Sequence, residues 1–177
     1  MPDPDLRTRL ERAIELLDDA QRQRLLDWAG VMHRQVENAR APGTSIGPIA
    51  DFMRIETIER RPGIATYALT VVPELLNPHG VLHGGAVYTM VDYSMGAATM
   101  DAIAPDEICA TIEIKISYLA GVRSGRLTCT TNVIKQGRSV VFLESHVTDA
   151  SGRLVATASG SFAVIPMARN TKGAADG

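Results

Sequence analysis

The segment from Gly84 to Met100 constrains the fold most, because it has the length of a helix and is apolar on almost every face. It reads G-G-A-V-Y-T-M-V-D-Y-S-M-G-A-A-T-M, and Asp92 supplies its single carboxylate. A helix that is apolar nearly all round is expected inside a fold. Because an isolated carboxylate is costly to bury, Asp92 should reach a polar cleft or have a catalytic reason to be there.

Strand-like runs on both sides of this helix indicate what surrounds it. Several alternate between apolar and polar residues, as half-buried strands do. Two runs precede the helix and four follow it, at 52–59, 64–72, 108–119, 126–135, 140–148 and 154–165. The sequence therefore predicts an α+β fold, in which one antiparallel sheet of about six strands wraps round a long central helix.

The N-terminal part of the chain has a different pattern. Apolar residues recur at helical intervals over 3–40, which predicts two helices or one bent helix, and Asp18 with Gln21 could cap a second helix. The Pro-Gly pair at 42–43 should end this element, and the small polar residues near the C-terminus should fray. We expect an N-terminal helical extension at 1–45, the main domain at 46–167 and a tail at 168–177.

The start of the central helix follows a His83-Gly84-Gly85 junction. Two glycines allow a tight turn and the close approach of a ligand, and the first N–H groups of a helix are unpaired at the positive end of its dipole. Such donors suit an oxygen that gains negative charge during reaction, such as a thioester or ester carbonyl oxygen. Gly84 N–H is the first candidate, although the glycines could simply allow close packing of the helix on the sheet.

The spacing of Gly84 and Asp92 bears on the assembly. Eight residues of helix correspond to a rise of about 12 Å, whereas a general base must come within roughly 3 Å of its proton or act through a water. If both groups serve one reaction, Asp92 must come from a second copy of the helix, running antiparallel across a two-fold axis. We therefore predict a homodimer with two shared active sites, and assembly of two dimers into a tetramer remains open.

The ordered pattern of Asn77, His83-Gly84-Gly85 and Asp92 resembles the hotdog-fold acyl-CoA thioesterases of the 4-hydroxybenzoyl-CoA thioesterase superfamily, in the phenylacetate-degradation branch. Matches at 110–119 and 135–142 extend the resemblance over roughly residues 46–166. It implies a hotdog fold and an enzyme that hydrolyses an aromatic or medium-chain acyl-CoA to free acid and coenzyme A. No further cofactor is expected, because coenzyme A is part of the substrate.

The same resemblance implies roles for individual residues. Asn77 would help to position the carbonyl group or the water, and His83 would shape the turn or contact the leaving thiol. Asp92 would act as general base or nucleophile, and Thr111 would help it to hold the attacking water. Simpler interpretations remain open: Asp92 could accept structural hydrogen bonds, and Thr111 could be an ordinary strand residue.

Substrate binding is expected at further positions. Lys135, Gly137 and Arg138 form a basic hairpin that the resemblance places near the nucleotide phosphates, which suits charged donors with free backbone amides. A solvated turn is the open alternative. Gly85 would lie beside the reacting carbonyl, and Tyr118 would be a core or cleft-wall residue. The acyl group would meet an adaptable apolar pocket lined by Val87, Met90, Met95 and Phe142.

Composition and charge limit the other functions. A net charge of −2 gives no broad attraction to nucleic acid or to an anionic membrane. No apolar run could span a bilayer, no leader is evident and there are two cysteines, so the cytosol is the expected location. His79 and His83 are four apart, but the prolines and glycines around them break any helix, so no metal site is expected. A non-catalytic acyl-CoA sensor or carrier is the alternative function.

Overall fold

The computed structural model describes residues 4–40 and 46–167, except for the side chains of Pro4 and of residues 31, 32 and 34–40. The chain forms two compact units, Met1–Phe52 and Met53–Gly177, which are described separately. The predicted linker at Ala41-Pro42-Gly43 and the predicted tail at 168–177 lie outside the described residues. No helix of the described part is long and apolar enough to cross a membrane.

Helices α1 (Pro4–Glu15) and α2 (Asp19–Arg40) lie in the first unit, and α3 (Pro48–Met53) begins in it and ends at the first residue of the second unit. Two helices, rather than one bent helix, therefore occupy the N-terminal region. The predicted cap of α2 is confirmed, because Gln21 N–H donates to Asp18 Oδ1 at 2.8 Å and Asp18 N–H donates to Gln21 Oε1 at 2.9 Å. This reciprocal pair satisfies two backbone donors at a helix start.

Helix α3 corrects the first strand prediction, which placed residues 52 and 53 in a strand. Gly47 has φ 123°, Pro48 begins the helix, and Arg54 has φ 55° just after its end. Proline is favoured at the first helical position, so the local chemistry favours a short helix here. Phe52 packs against Trp28 with ring centroids 4.9 Å apart.

The second unit is one six-stranded sheet with one long helix. All strands pair antiparallel in the order β1-β2-β4-β5-β6-β3. Helix α4 (Gly84–Met100) packs on the sheet, and a short 3₁₀ turn (Pro73–Leu75) precedes it. The predicted hotdog arrangement is therefore confirmed. The strands are β1 (Ile55–Arg61), β2 (Ile64–Thr70), β3 (Glu107–Tyr118), β4 (Arg126–Gln136), β5 (Val140–Asp149) and β6 (Leu154–Pro166).

The interface between α4 and the sheet is apolar, with one buried hydroxyl cluster. Ser94 donates to the backbone oxygen of Ala65 at 3.2 Å, and Thr131 donates to Ser94 Oγ at 2.7 Å. Thr131 and Ser145 share a further hydrogen bond of 2.6 Å. All three hydroxyl groups lie on fully buried residues, so these bonds satisfy groups that would otherwise be costly to bury. They fix α4 against β2, β4 and β5.

Strand β3 lies at the edge of the sheet and carries an irregularity in the middle. Its pairing with β6 shifts between Thr111 and Glu113, so Ile112 is an extra residue that is 55% exposed. A bulge of this kind bends a strand and redirects side chains, often beside an active site. Here Thr111 and Ile114, three residues apart, both lie opposite helix-facing positions of β6, Phe162 and Gly160.

Candidate active site

Within the part of the chain that the structure describes, one backbone donor at the N-terminus of α4 is unused. His83 caps the helix, and its Nδ1 accepts a hydrogen bond of 2.9 Å from Gly85 N–H. The backbone oxygen of His83 accepts from Ala86 N–H at 2.9 Å. Among the described residues, Gly84 N–H has no acceptor. This donor lies at the positive end of the helix dipole, where it could bind an oxygen that becomes negatively charged.

Tyr118, from the end of β3, covers this helix start. Its hydroxyl donates to the backbone oxygen of Gly84 at 2.9 Å. The ring packs so closely that a Cβ atom on Gly84 would lie 3.1 Å from Tyr118 Cζ. The sequence predicts a core or cleft-wall position for Tyr118 but does not reveal this bond, because 34 residues separate the partners and only the folded strand brings them together.

Asn77 holds the turn that precedes α4. Its side-chain Oδ1 accepts from His79 N–H at 2.9 Å and from Val81 N–H at 3.2 Å. The oxygen is therefore committed to the turn, whereas the side-chain NH₂ has no partner among the residues that the structure describes. The role of Asn77 in positioning a carbonyl group or a water stays a prediction, and the NH₂ group is the part of the side chain that could perform it.

Asp92 and Thr111 lie together on the side of α4 that faces β3. Thr111 Oγ1 donates to Asp92 Oδ1 at 2.8 Å. Asp92 is half-buried, and its second oxygen has no hydrogen bond within 4–40 and 46–167. The structure thus brings this predicted pair into contact and leaves one carboxylate oxygen available. That geometry suits a carboxylate that accepts a proton from water, although the catalytic roles stay predictions.

Cys109 is a neighbour of Asp92 that the sequence did not indicate. Its thiol donates to the backbone oxygen of Gly96 across 3.7 Å. Burial raises the pKa of the Cys109 thiol, and the negative charge of Asp92 raises this pKa further. The second cysteine, Cys129, is completely buried, and burial raises its pKa to about 11. Neither thiol is therefore an activated nucleophile.

Within one chain, the predicted groups are spread along α4, with Gly84 at its start, Asp92 in its middle and the basic hairpin beyond its end. Gly84 and Asp92 lie eight residues apart on an unbroken helix, which corresponds to about 12 Å. The basic hairpin lies beyond the far end of α4, since Gln136 Nε2 donates to the backbone oxygen of Ala102 at 2.8 Å. One copy of the chain therefore does not assemble all of the predicted groups around one carbonyl.

The hairpin itself has the tight form that its sequence suggests. Gly137 N–H donates to the oxygen of Val140 at 2.8 Å, and a Cβ atom on Gly137 would lie 2.8 Å from the same oxygen. Glycine is therefore needed for this close approach. Lys135 and Arg138 are exposed, and neither forms an ion pair within the described part of the chain. Both charges are available to an anionic ligand.

An apolar cavity of about 380 Å³ opens beside the helix start. Its lining includes Gly84, Val87, Tyr118, Leu119, Val122 and Val155. Of the four residues predicted to line the acyl pocket, only Val87 lines this cavity, and the position of the acyl pocket stays a prediction. Met90 and Met95 are completely buried in the core, and Phe142 lies 47% exposed on the opposite face of β5 from its buried residues. A helix that is apolar all round does not reveal which of its faces borders a cavity.

Comparison with known proteins agrees with this fold. Residues 79–156 match the model of the Thioesterase superfamily. The 1,4-dihydroxy-2-naphthoyl-CoA hydrolase of Listeria monocytogenes is 30% identical over 110 residues, which cover 62% of this chain and 89% of that protein. The structure of conserved protein PA5202 from Pseudomonas aeruginosa is 30% identical with a TM-score of 0.67, covering 71% of this chain and 99% of that one.

A further structural match concerns the fold alone. The PaaI protein from the phenylacetic acid degradation operon of E. coli has a TM-score of 0.66 at 24% identity, and covers 76% of this chain and 96% of that one. Taken with the sequence matches, these similarities confirm the resemblance inferred from the His-Gly-Gly and Asp pattern. The chain belongs to the Thioesterase superfamily. It is a thioester hydrolase with the hotdog fold.

Proposed function

We propose that this protein hydrolyses the thioester of an aromatic or medium-chain acyl-CoA, in active sites that two copies of the chain share. The observation that carries this proposal is the N–H of Gly84, which has no acceptor among the described residues. Its neighbours Gly85 and Ala86 donate to His83, so the helix start offers a single directed donor beside an apolar cavity. This combination suits a thioester whose carbonyl oxygen is polar and whose acyl group is not.

The proposed reaction uses that donor together with Asp92 of the second copy. The carbonyl oxygen accepts from Gly84 N–H, while Asp92, held by Thr111, takes a proton from a water that attacks the carbonyl carbon. The carbonyl oxygen becomes an oxyanion, which the N–H and the helix dipole stabilise. The C–S bond then breaks, the sulfur takes up the proton that Asp92 accepted from the water, and the acid and coenzyme A leave with Asp92 again ionised. Direct attack by Asp92 is the alternative route.

The edge strand supports the proposed dimer. β3 is 12 residues long, lies at the edge of the sheet, and exposes large apolar side chains at Ile108, Ile112 and Tyr118. Exposed apolar edge strands are rarely left unpaired. An antiparallel pairing of β3 with its copy would bring the two α4 helices alongside each other, with the start of one near the middle of the other.

The hairpin and the cavity then receive different parts of the substrate. In such a dimer, the partner's hairpin comes towards the helix start, where its lysine and arginine are available to the phosphate groups of coenzyme A. The acyl group occupies the cavity beside Gly84. No cofactor other than the substrate's own coenzyme A is needed. Free thiols at Cys109 and Cys129 and a coenzyme A substrate favour a cytoplasmic location.

Asp92→Asn tests the proposal. The amide is nearly isosteric but cannot accept the proton, so we expect acyl-CoA binding to persist while hydrolysis falls by roughly a thousandfold. Hydrolysis is measured as thiol release with a colorimetric reagent on a panel of acyl-CoAs, and binding by calorimetry. Asp106→Asn, in an exposed loop, is the matched control and should be fully active. Near-normal turnover by Asp92→Asn would reject the assignment.

A further inference from the structure

The Gly84–Gly85 peptide group is held at both of its ends by side chains. Its N–H, which belongs to Gly85, donates to His83 Nδ1 at 2.9 Å, and its carbonyl oxygen, which belongs to Gly84, accepts from the Tyr118 hydroxyl at 2.9 Å. The two side chains come from different elements, the helix cap and the end of β3. Such a two-sided arrangement restricts rotation of the peptide plane.

The glycines explain why this restriction matters. Without Cβ atoms, Gly84 and Gly85 have more backbone freedom than any other pair of residues, so the direction of the neighbouring Gly84 N–H would vary if nothing held the turn. Both glycines also make room for the two side chains. A Cβ atom on Gly85 would lie 3.0 Å from His83 Nδ1, and one on Gly84 would lie 3.1 Å from the Tyr118 ring.

We infer that Tyr118 and His83 are positioning residues, which fix the Gly84–Gly85 peptide and thereby keep Gly84 N–H directed at the thioester oxygen. This inference rests on the proposed function of Gly84 as the oxyanion donor. It gives the Tyr118 hydroxyl a role in the catalytic geometry, while the Tyr118 ring lines the cavity. It gives His83 the role of a hydrogen-bond acceptor through Nδ1 rather than of a group that transfers protons. A preorganised donor stabilises a transition state more than a mobile one does.

The chemistry of both side chains fits these roles. Burial raises the pKa of Tyr118, and the nearby Tyr88 raises it further, so the hydroxyl remains protonated and able to donate. His83 accepts at Nδ1, which means that this nitrogen carries no proton and that the neutral ring has its proton on Nε2. Asparagine at a helix cap offers an acceptor oxygen in a similar place, so His83→Asn preserves the hydrogen bond without the imidazole.

Steady-state kinetics of four variants separate positioning from substrate binding. Tyr118→Phe and His83→Leu each remove one hydrogen bond, and we expect kcat to fall about tenfold in each with little change in KM. His83→Asn should stay within about threefold of the wild type, since the cap acceptor is kept. In the double variant Tyr118→Phe with His83→Leu, the losses should not multiply, because both bonds hold the same peptide. If Tyr118→Phe raised KM at unchanged kcat, or if His83→Asn were as impaired as His83→Leu, the inference would be overturned.

Hydrogen exchange gives a readout that does not depend on activity. In the absence of substrate, the Gly85 amide should exchange faster in Tyr118→Phe and His83→Leu than in the wild type, and at the wild-type rate in His83→Asn. Unchanged exchange of the Gly85 amide in Tyr118→Phe and His83→Leu would contradict the positioning role of these two side chains, even if the protein hydrolyses acyl-CoA as proposed. Conversely, the Gly85 amide could exchange faster in Tyr118→Phe and His83→Leu while Asp92→Asn is fully active. That result would support the positioning role of Tyr118 and His83 and reject the proposed function.

Discussion

The backbone donor of Gly84 can be removed by one substitution, because Gly84 is the first residue of α4. Proline is accepted at that position, and His83, with φ −62° and ψ 132°, already has the extended conformation that precedes proline. Gly84→Pro should therefore fold and lose the N–H. We expect kcat for acyl-CoA hydrolysis to fall by about a hundredfold or more.

Gly84→Ala is the matched control for this loss. It places a Cβ atom against the same Tyr118 ring, 3.1 Å from Cζ, but keeps the N–H. Its kcat should lie far above that of Gly84→Pro. Thermal denaturation of the two variants checks that they are equally stable, so that the difference in kcat does not come from unfolding. Equal losses would assign the defect to crowding of Tyr118 and would contradict the donor role of Gly84.

Cys109 reports the charge of Asp92 without any substrate. Because the carboxylate helps to raise the pKa of the Cys109 thiol, Asp92→Asn should lower that pKa and increase the thiolate fraction at a fixed pH. Alkylation of Cys109 by iodoacetamide at pH 8 should then be faster in the variant than in the wild type. Cys129 is completely buried and should stay unlabelled in both. Equal labelling of Cys109 would show that Asp92 is uncharged or remote.

At this scale, the sequence revealed the residues whose chemistry is unusual for their context. Gly84 and Asp92 are recognisable because paired glycines and a lone carboxylate are unexpected in an apolar helix. Tyr118 and Cys109 are not, since a tyrosine and a cysteine are ordinary strand residues until the fold places one against Gly84 and the other beside Asp92. Contacts between distant residues depend on register, which single residues do not encode.

At the scale of single elements, the stability that Asp149 contributes to the turn between β5 and β6 should depend on pH. Asp149 accepts from the hydroxyl and N–H of Ser151 and from Arg153. The Ser151 hydroxyl contributes most to lowering the Asp149 pKa from 3.8 to about 2. Because the folded pKa is the lower one, this stabilisation is present above about pH 4 and is lost as the pH falls through about 2.

Asp149→Asn tests this account of the turn. The variant should have a smaller free energy of unfolding than the wild type at pH 7, and the difference should shrink as the pH approaches 2. Urea denaturation followed by circular dichroism at several pH values measures it. A difference that is constant with pH would mean that the carboxylate charge is not responsible.

Elements with a strong period were predicted well, and a short one was not. The helix α4 and all six strands occur close to their predicted positions, but β1 begins at Ile55 rather than at residue 52. Helix α3 was missed because six residues between Gly47 and Arg54 are too few to show a helical period, and its apolar side chains resemble a strand start. The bulge at Ile112 was also missed, because alternation alone cannot show where one strand gains a residue over its neighbour.

At the scale of the whole molecule, the separation of Gly84 and Asp92 on one straight helix is the decisive feature. The length of α4 was predictable from the sequence, whereas the second copy of the chain stays a prediction that follows from this length. The position of the basic hairpin at the far end of α4 was not predictable, because it depends on how β4 runs along the helix. The separation of Gly84 from Asp92 and the position of the hairpin beyond the end of α4 both favour the proposed shared site. In that site, one chain supplies the helix start and the other supplies the carboxylate and the hairpin.

Complementation between two inactive variants tests this sharing most directly. Gly84→Pro and Asp92→Asn homodimers, co-expressed or refolded together in equal amounts, should form heterodimers in which one of the two sites combines an intact Gly84 with the other chain's intact Asp92. Thioesterase activity should return to about a quarter of the wild-type value per subunit, as random pairing in a two-fold dimer requires. If the mixture stays as inactive as the separate variants although heterodimers have formed, each site is contained within one chain and the account is contradicted.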